Sequence, residues 1–315
     1  MIDAGCHIFH LPEPSLSYAS YLKSLWRLFK DKEYHVVHAH TMFNCGWAMC
    51  LAKLRGVGVR VSHSHSALTD GKSLVKSVYE AAMRLLINTC ATDFIACGVA
   101  AGKRLYGEKK FAKCGKLILN GIDTNAFRYD EAKRAAIRAQ LGIENRFVIG
   151  HAGHLVEVKN QSFLLERMPE ILERRPDTVL LLLGEGPDRG MMEEKIHTLQ
   201  LEDHVIMTGN VTNVGDYLSA MDVFAFPSLY EGMPLSILEV QANGLPCVLS
   251  DRVPKDVHLT DLLTALPLEA PEAWVEAILE AGRKCSAGYA EKMKLAGFDV
   301  TTAMEKIYEI YEKGK

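Results

Sequence analysis

The chain has 315 residues, which is too long for one ordinary compact domain and comfortable for two that each bury a core. Charged residues make up 24% of the chain, the formal net charge at pH 7 is -3, and 48% of the residues are hydrophobic. That balance is typical of a globular protein and gives no reason to expect nucleic acid as a partner.

The cysteines lie in apolar segments without a repeating spacing. They are Cys6, Cys45, Cys50, Cys90, Cys97, Cys114, Cys247 and Cys285. We interpret them as reduced core residues, which predicts a cytoplasmic location. The first residues, MIDAGCHIFHLPEP, lack the basic flank and apolar core of a signal peptide, and no later window is long enough to span a bilayer.

Short β-branched runs alternate with amphipathic stretches, a pattern typical of parallel sheets built from βαβ units. The predicted strands, in chain order, are CHIFHL, HVVHAH, VRVSHS, DFIACG and KLILNG, then FVIGHAG, TVLLLLGEG, HVIMTGN, DVFAFPS and PCVLS. The predicted helices include SYLKSLWRLFKD, SLVKSVYEAAMRLLI, SFLLERMPEILERRP, MMEEKIHTLQ, PEAWVEAILEAGRK and TTAMEKIYEIYEK. The sequence therefore predicts an α/β protein with two doubly wound, Rossmann-like domains.

The domain boundary is predicted near Asn125, because a polar stretch from Asp123 to Asn145 interrupts the alternation before FVIGHAG restarts it. We predict one domain over residues 1–124 and a second over 125–315; the last helix is counted with the second domain, although its apolar face could pack on either. The helix SYLKSLWRLFKDK surrounds Trp26 with basic residues, a composition compatible with an anionic membrane surface. An ordinary surface helix with an apolar core face has the same composition and is the favoured interpretation.

The segment DVFAFPSLYEGMPLSILEVQANGLPCVLSD, from Asp222 to Asp251, carries the most chemistry. It predicts a strand, a tight loop, a helix and a second strand, with the loop at the carboxyl edge of the sheet, where open α/β folds bind ligands. Pro234 is predicted at the first helical position, so that the amides of Leu235 and Ser236 point outward. A helix N-terminus of this kind favours an anion such as pyrophosphate.

Two glutamates flank that helix start. Glu239, one turn into the helix, would accept hydrogen bonds from ribose hydroxyls, while Glu231, with Gly232 in the loop, would reach a transferred sugar. Either glutamate alone would more often be a solvated helix residue. The loop, the proline, the helix and the spacing together favour a functional site.

The pattern of Glu231, seven residues and Glu239 resembles the retaining family 4 glycosyltransferases of the GT-B architecture. The segments HVVHAH, RVSHSHS, NGIDTNAF, GHAGHLVEVKN, LLLGEGP and VIMTGNV extend the resemblance along nearly the whole chain, in the family's order. It implies two Rossmann-like domains facing a cleft. Among subfamilies the sequence looks most like the bacterial hexosyltransferases of capsule or exopolysaccharide assembly.

The resemblance also implies the reaction and its partners. A nucleotide-sugar donor, UDP-linked above other nucleotides, would transfer its sugar with retention to a glycan or lipid-linked acceptor. No cofactor and no metal are expected, since helix amides and basic side chains do the work of a cation. The protein would be cytoplasmic, with peripheral association at the inner face of the membrane as an option.

A second loop, in IGHAGHLVEVKNQ, places bare backbone at Gly153 and then Lys159 after a predicted strand, which suits a diphosphate. Family members carry an arginine just after the glycine and a lysine a few residues later. Lys159 matches, but the arginine position holds His154. A histidine is mostly neutral at pH 7, so the predicted stabilisation of the diphosphate is weaker or depends on pH.

Glycine turns follow two further predicted strands, at GEGP and at TGNV. Such glycines usually solve a backbone problem, and we favour that interpretation. In the resembled family the second turn frames the nucleotide base, which extends the predicted donor site to Asn210 and Val211.

The first domain is expected to bind the acceptor. Its candidate catalytic residue is His65, with His63 as the alternative, since family members hold a histidine at this strand end. His63 and His65, like His38 and His40, stand two apart on one strand face, so zinc must be weighed. Because no cysteine or carboxylate completes a ligand set nearby in sequence, we predict no metal.

The chain departs from the family at its start. Members normally begin with a strand, a glycine-rich loop and a second strand before the equivalent of CHIFHLP, and this chain starts at about that point. The first domain is therefore expected to be incomplete, which keeps an inactive or non-catalytic sugar-nucleotide-binding protein as the alternative. A sugar-nucleotide epimerase shows no signature here, and a dinucleotide oxidoreductase would need a Gly-x-Gly-x-x-Gly that is absent.

Overall fold

The computed structural model describes residues 5–14, 16–31, 33–66, 73–283 and 288–314. The chain forms two compact units, one made of Met1–Leu119 with Met304–Lys315 and the other of Asn120–Ala303. Each unit is an α/β Rossmann-like domain with a parallel sheet, which confirms the predicted fold class.

The first unit contains a four-stranded parallel sheet in the order β1-β2-β3-β4. Its strands are β1 (Val36–Ala39), β2 (Val59–Ser64), β3 (Asp93–Ala96) and β4 (Gly115–Leu117). Its helices are α1 (Tyr18–Asp31), α2 (Cys45–Leu54), α3 (Leu74–Cys90), α4 (Val99–Tyr106) and α5 (Glu108–Cys114). β3 is buried at every position, as expected for a parallel strand covered on both faces.

The second unit contains a six-stranded parallel sheet in the order β10-β9-β8-β5-β6-β7. Its strands are β5 (Phe147–Ala152), β6 (Thr178–Leu183), β7 (Val205–Gly209), β8 (Val223–Phe226), β9 (Cys247–Ser250) and β10 (Leu263–Leu266). Its helices are α6 (Glu131–Leu141), α7 (Gln161–Arg174), α8 (Arg189–Thr198), α9 (Val214–Ala220), α10 (Leu235–Ala242), α11 (Pro271–Glu280) and α12 (Gly288–Leu295). The order reverses between β5 and β8, which makes that pair the switch point of the sheet.

The last helix, α13 (Val300–Glu312), belongs to both units. At its start, Val300 donates its amide proton to the Ile122 carbonyl oxygen (2.9 Å), within the second unit. Near its end, Tyr311 hydrogen-bonds His38 (2.6 Å), within the first. The boundary therefore falls after Leu119 and the helix is shared, whereas the sequence placed the boundary at Asn125 and gave the whole helix to the second domain.

One predicted strand is absent from the described residues, and one helix was not predicted. The segment CHIFHL is not a strand, and Ile8 and Phe9 within it are about half exposed. A strand needs a neighbour for its backbone hydrogen bonds, and an alternating pattern does not show whether one is present. The polar stretch after Asp123 contains α6, which begins at an Asp130 cap and ends at Gly142 in the left-handed conformation (φ 66°).

Within the described residues, no helix is long and apolar enough to cross a membrane. Helix α1 buries Tyr21, Leu25 and Phe29 in the core of the first unit. Its Trp26 remains 40% exposed. The favoured interpretation of α1 as a surface helix with a core face fits this packing.

Candidate functional site

A cavity of about 350 Å³ opens in the second unit at the carboxyl ends of β5 and β8, the switch point of the sheet. Residues from the end of β5, the loops after β5 and β8, and the first turns of α9 and α10 line it. They are Ala152, Gly153, His154, Lys159, Val214, Glu231, Met233, Pro234, Leu235, Ser236 and Glu239. Seven of the residues predicted from sequence for donor binding and catalysis therefore share one cavity: Gly153, His154, Lys159, Glu231, Leu235, Ser236 and Glu239.

The side chains of Lys159 and Glu231 form an ion pair in this cavity, with Nζ 2.7 Å from Oε1. They are only 20% and 11% exposed, so little water screens the pair. The ammonium also lies over the Phe226 ring, 5.0 Å from its centroid, a favourable cation–π contact. The sequence did not predict this pairing, because the two residues are separated by 72 positions.

Two backbone contacts bring the loops of that ion pair together. Leu229 donates its amide proton to the Val158 carbonyl oxygen (2.8 Å). Asn160, in the left-handed conformation (φ 53°), donates from Nδ2 to the Pro227 carbonyl oxygen (3.2 Å). Asparagine tolerates this conformation better than most residues, which explains its place directly after Lys159.

The glycines of GEGP are explained by close backbone packing. A Cβ atom on Gly184 would lie 2.1 Å from the Gly153 carbonyl oxygen, and one on Gly186 would lie 2.1 Å from the Leu155 carbonyl oxygen. Gly184 also has a φ of 130°, which residues with a side chain rarely adopt. These glycines let the β6 loop support the wall of the cavity, in agreement with the backbone role favoured from sequence.

A buried pair beneath the cavity, His151 and Gln161, was missed by the sequence analysis. His151 donates from Nδ1 to the Ala225 carbonyl oxygen (2.9 Å), and complete burial lowers its pKa to about 4, so the ring stays neutral. Gln161 donates from Nε2 to the His154 carbonyl oxygen (3.0 Å) and lies 3.3 Å from His151 Nε2. The signal was a polar residue inside the apolar run FVIGHAG, which an isolated strand does not require.

Helix α10 begins at Leu235, and Pro234 is its N-cap with φ -74° and ψ 103°. The predicted helix start is thus one residue too early. Leu235 and Ser236 become the first two helical positions, whose amides have no partner within the helix. The amide of Ile237 turns back to the Pro234 carbonyl oxygen (3.1 Å). The helix therefore presents its N-terminus to the cavity, as the sequence predicted.

Glu239 lies in the second turn of α10 and lines the cavity. Burial raises the pKa of its carboxyl group to about 7, because the charged form loses solvation. The carboxyl group therefore changes protonation near neutral pH. Hydroxyl groups of a ligand that donate to the carboxylate would favour its ionised form.

Three predicted residues lie apart from the lining. Asn210 and Val211 follow β7 at the far edge of the sheet, and their role in base binding stays a prediction. Gly232 lies in the loop between Glu231 and Met233, and a Cβ atom there would meet nothing within 4 Å. Space is therefore not the reason for a glycine at position 232.

In the first unit, four histidine rings stack at the carboxyl ends of β1 and β2. His38 and His63 lie on the strands, and His40 and His65 directly follow them. His38 Nε2 is 3.2 Å from His63 Nδ1, and His40 Nδ1 is 2.7 Å from His65 Nε2. Burial, with the neighbouring rings, lowers the pKa of His38 to about 4 and that of His63 to about 3. At pH 7 these two rings are neutral.

The comparisons with known proteins agree with this site. Residues 2–106 match the family model described as glycosyl transferase 4-like domain, and residues 146–283 match the one described as glycosyl transferases group 1. The chain is 32% identical over 321 residues to the Bacillus subtilis (strain 168) protein named "Putative glycosyltransferase EpsF", an alignment covering 99% of this chain and 84% of that protein. The chain belongs to the family 4 glycosyltransferases of the GT-B fold, and it is an enzyme of the hexosyltransferase type.

Two further relatives are similar over most of the chain. The capsular polysaccharide biosynthesis glycosyltransferase CapH of Staphylococcus aureus is 25% identical over 296 residues, covering 90% of this chain and 79% of CapH. The Escherichia coli UDP-Gal:alpha-D-GlcNAc-diphosphoundecaprenol alpha-1,3-galactosyltransferase is 31% identical over 238 residues, covering 73% of this chain and 61% of that enzyme. The predicted resemblance to capsule and exopolysaccharide transferases is thereby confirmed.

Solved structures share the fold. Anabaena Alr3699/HepE, in complex with UDP, has a TM-score of 0.73 at 22% identity and covers 96% of this chain and 84% of its own. Sucrose-phosphate synthase of Thermosynechococcus elongatus has a TM-score of 0.73 at 19% identity, with 96% and 80% covered. These similarities confirm the predicted GT-B fold.

Proposed function

We propose that the protein transfers a hexose from a UDP-sugar, with retention of configuration, to a lipid-linked or glycan acceptor in the assembly of a cell-surface polysaccharide. The observation that carries the proposal is the cavity in the second unit, where Lys159, Glu231 and Glu239 converge on the N-terminus of α10. A cation, helix amides and two carboxyl groups in one cavity fit the diphosphate, the ribose and the sugar of one donor.

The donor diphosphate would be held by Lys159 and by the amides of Leu235 and Ser236. In the free protein the Lys159 ammonium is paired with Glu231. A diphosphate bound there would pair with the Lys159 ammonium in place of Glu231. The Glu231 carboxylate could then accept hydrogen bonds from the sugar hydroxyls. Donor binding would thus switch Glu231 from pairing with a cation to orienting the substrate.

Retention requires attack on the same face from which the diphosphate leaves, through an oxocarbenium-like transition state. The leaving diphosphate gains negative charge as the bond breaks, and fixed donors beside it stabilise that charge. Lys159 and the helix amides supply these donors without a metal ion. His154, at the rim, would add a hydrogen bond through its ring.

The choice of UDP is supported by two relatives. HepE has been solved with UDP and with UDP-glucose, and the Escherichia coli relative is named for UDP-Gal. The polysaccharide role is supported by CapH, and the lipid-linked acceptor by the diphosphoundecaprenol in the name of the Escherichia coli relative. We assign acceptor binding to the first unit, with His65, or else His63, as its catalytic contribution.

The test has two measurements. The protein is titrated with UDP-glucose, UDP-galactose and GDP-mannose to obtain affinities, and turnover is then measured as the release of free nucleotide. We expect UDP-sugars to bind more tightly than GDP-mannose, and Glu231→Gln and Glu239→Gln each to lower turnover at least tenfold. Glu157→Gln is the matched control, because Glu157 lies exposed in the Lys159 loop and does not line the cavity. Unchanged turnover in both cavity variants would refute the proposal.

Peripheral membrane binding is proposed for α1. Lys23, Trp26, Arg27 and Lys30 are exposed and recur at helical spacing on one face. We expect the protein to float with vesicles of anionic lipid and not with neutral ones. Trp26→Ala should reduce flotation, whereas equal flotation with both lipids would contradict an electrostatic contact.

A further inference from the structure

We propose that the histidine cluster of the first unit, His38, His40 and His63, binds one divalent transition-metal ion of the zinc class. Each of the three rings offers a nitrogen, and the three nitrogens lie within 4.8 Å of one another. The inference does not depend on the donor cavity of the second unit, although it uses His63, the alternative catalytic residue of the first unit.

The spacing of the facing nitrogens fits a shared ion. In a tetrahedral zinc site with bonds of about 2.05 Å, neighbouring ligand atoms lie about 3.3 Å apart. His38 Nε2 and His63 Nδ1 are 3.2 Å apart. The free protein must keep a proton between these two nitrogens, and a cation would replace that proton.

His38 has a hydrogen-bond partner on its second ring nitrogen, as metal-binding histidines usually do. Its other ring nitrogen, Nδ1, is 2.6 Å from the Tyr311 hydroxyl oxygen. A histidine that binds a metal usually donates its second N–H to an oxygen, which fixes the ring and its tautomer. Tyr311 lies in the last helix, so a contact between residues far apart in the sequence orients the His38 ring.

His63 supplies an independent sign of a missing ligand. The residue is only 4% exposed, and its Nε2 has no hydrogen-bond partner among the described residues. A buried ring nitrogen without a partner costs free energy, so each such group calls for an explanation. Binding through either nitrogen of His63 would give the ring a strong interaction that it lacks in the free protein.

The other side of the cluster provides access. His40 is exposed, and its Nδ1 lies 2.7 Å from His65 Nε2. An ion can therefore enter from the solvent side and keep one position for water or for a ligand, as three-histidine sites do. His65 would not bind the ion itself but would hydrogen-bond the ligand His40.

Ligand chemistry decides the class of ion. Among the described residues the compact set consists of imidazoles alone. Imidazole suits Zn²⁺, Co²⁺, Ni²⁺ and Cu²⁺, whereas Mg²⁺ and Ca²⁺ prefer oxygen ligands. The sequence predicts no metal, because no cysteine or carboxylate stands nearby, but the neighbouring parallel strands β1 and β2 supply the set from histidine alone.

The test uses the full chain without a histidine tag, stripped with a chelator and titrated with Co²⁺ and with Zn²⁺. We expect one equivalent to bind, with visible Co²⁺ absorption of a nitrogen-ligated, tetrahedral ion. His40→Ala, a substitution at an exposed position, should weaken Co²⁺ binding at least tenfold. Tyr311→Phe should weaken it by roughly 10-fold to 100-fold. Circular dichroism of each variant checks that the fold is kept.

The matched control is His35→Ala, because His35 is exposed just before β1 and lies outside the cluster. It should bind Co²⁺ like the unmodified protein. The proposal would be overturned by the absence of saturable binding at one equivalent, or by thiolate-to-cobalt absorption, which would place the ion on cysteine. Unchanged affinity in both His40→Ala and Tyr311→Phe would also overturn it.

Discussion

Both units are built on a parallel sheet, but the order of the strands differs between them. In the second unit the strand order reverses between β5 and β8, and the cavity opens at that reversal. In the first unit the described strands run in sequential order with no reversal, and the histidine cluster forms where two neighbouring strands end. Topology alone therefore locates a site in the second unit, whereas the site in the first unit depends on which side chains β1 and β2 carry.

The difference also concerns charge. The cavity of the second unit combines a lysine, two glutamates and a helix N-terminus, which together suit an anionic ligand. The cluster in the first unit consists of histidines, two of which are neutral at pH 7, and suits a cation or a hydroxyl group. This difference in charge supports the proposed division of labour, in which the second unit binds the nucleotide.

The largest expected effect tests that division directly. Lys159→Ala should weaken UDP binding about 100-fold, since a charge-assisted contact with the diphosphate is lost. His65→Ala should leave UDP affinity within twofold, because His65 belongs to the first unit. Lys255→Ala, an exposed lysine outside the cavity, is the control in the same calorimetric titration. A larger loss in His65→Ala than in Lys159→Ala would break the comparison.

Gly184→Ala should lower the free energy of unfolding by about 2–4 kcal/mol, because its Cβ would lie 2.1 Å from the Gly153 carbonyl oxygen at a φ of 130°. Denaturant unfolding measures the change. Gly232→Ala is the matched control, since a Cβ there meets nothing within 4 Å, and it should stay within about 0.5 kcal/mol. Equal losses in the two variants would contradict the argument that close backbone packing requires a glycine at position 184.

Glu239 should make the stability of the free protein depend on pH. Burial raises its pKa from 4.5 to about 7, so the folded state holds a proton that the unfolded state has released. Its contribution is fully present below pH 4.5 and is lost as pH rises through 7, which amounts to about 3 kcal/mol. Measured at pH 5 and pH 8, Glu239→Gln should gain about that much stability over the unmodified protein only at pH 8. The same gain at both pH values would contradict the protonation argument.

The smallest effect concerns the residue that departs from the family pattern. His154→Arg should strengthen UDP binding by about 3-fold to 10-fold at pH 7.5, because it adds a permanent charge at the exposed rim of the cavity. His197→Arg, at an exposed helix position outside the cavity, should leave the affinity for UDP unchanged. Weaker binding in His154→Arg would mean that the histidine ring makes a contact that arginine cannot replace.

Most of the fold was predictable from the sequence, since nine of the ten predicted strands form in the structure. The failure at CHIFHL and the missed strand β10 have one cause. Both depend on whether a neighbour lies alongside, and a local pattern carries no information on neighbours. Helix α13 is divided between the two units, and its apolar face alone does not reveal which core it meets.

The candidate site was predictable where one segment builds it. The stretch around Glu231 and Glu239 contains its own strand, loop and helix, so the helix start was off by a single residue. The ion pair of Lys159 with Glu231 and the hydrogen bond of His151 to the Ala225 carbonyl oxygen join residues 72 and 74 positions apart, and the sequence pattern names neither partner. Partners of buried polar groups are set by tertiary packing, which is why such contacts were missed.

The most direct test of the account is a crystal structure of the protein with UDP. We expect the diphosphate to lie within hydrogen-bond distance of Lys159 Nζ and of the amides of Leu235 and Ser236, with Glu231 released from its ion pair and Glu239 on the ribose. A nucleotide bound elsewhere, with Lys159 and Glu231 still paired, would contradict the central claim that this cavity holds the donor.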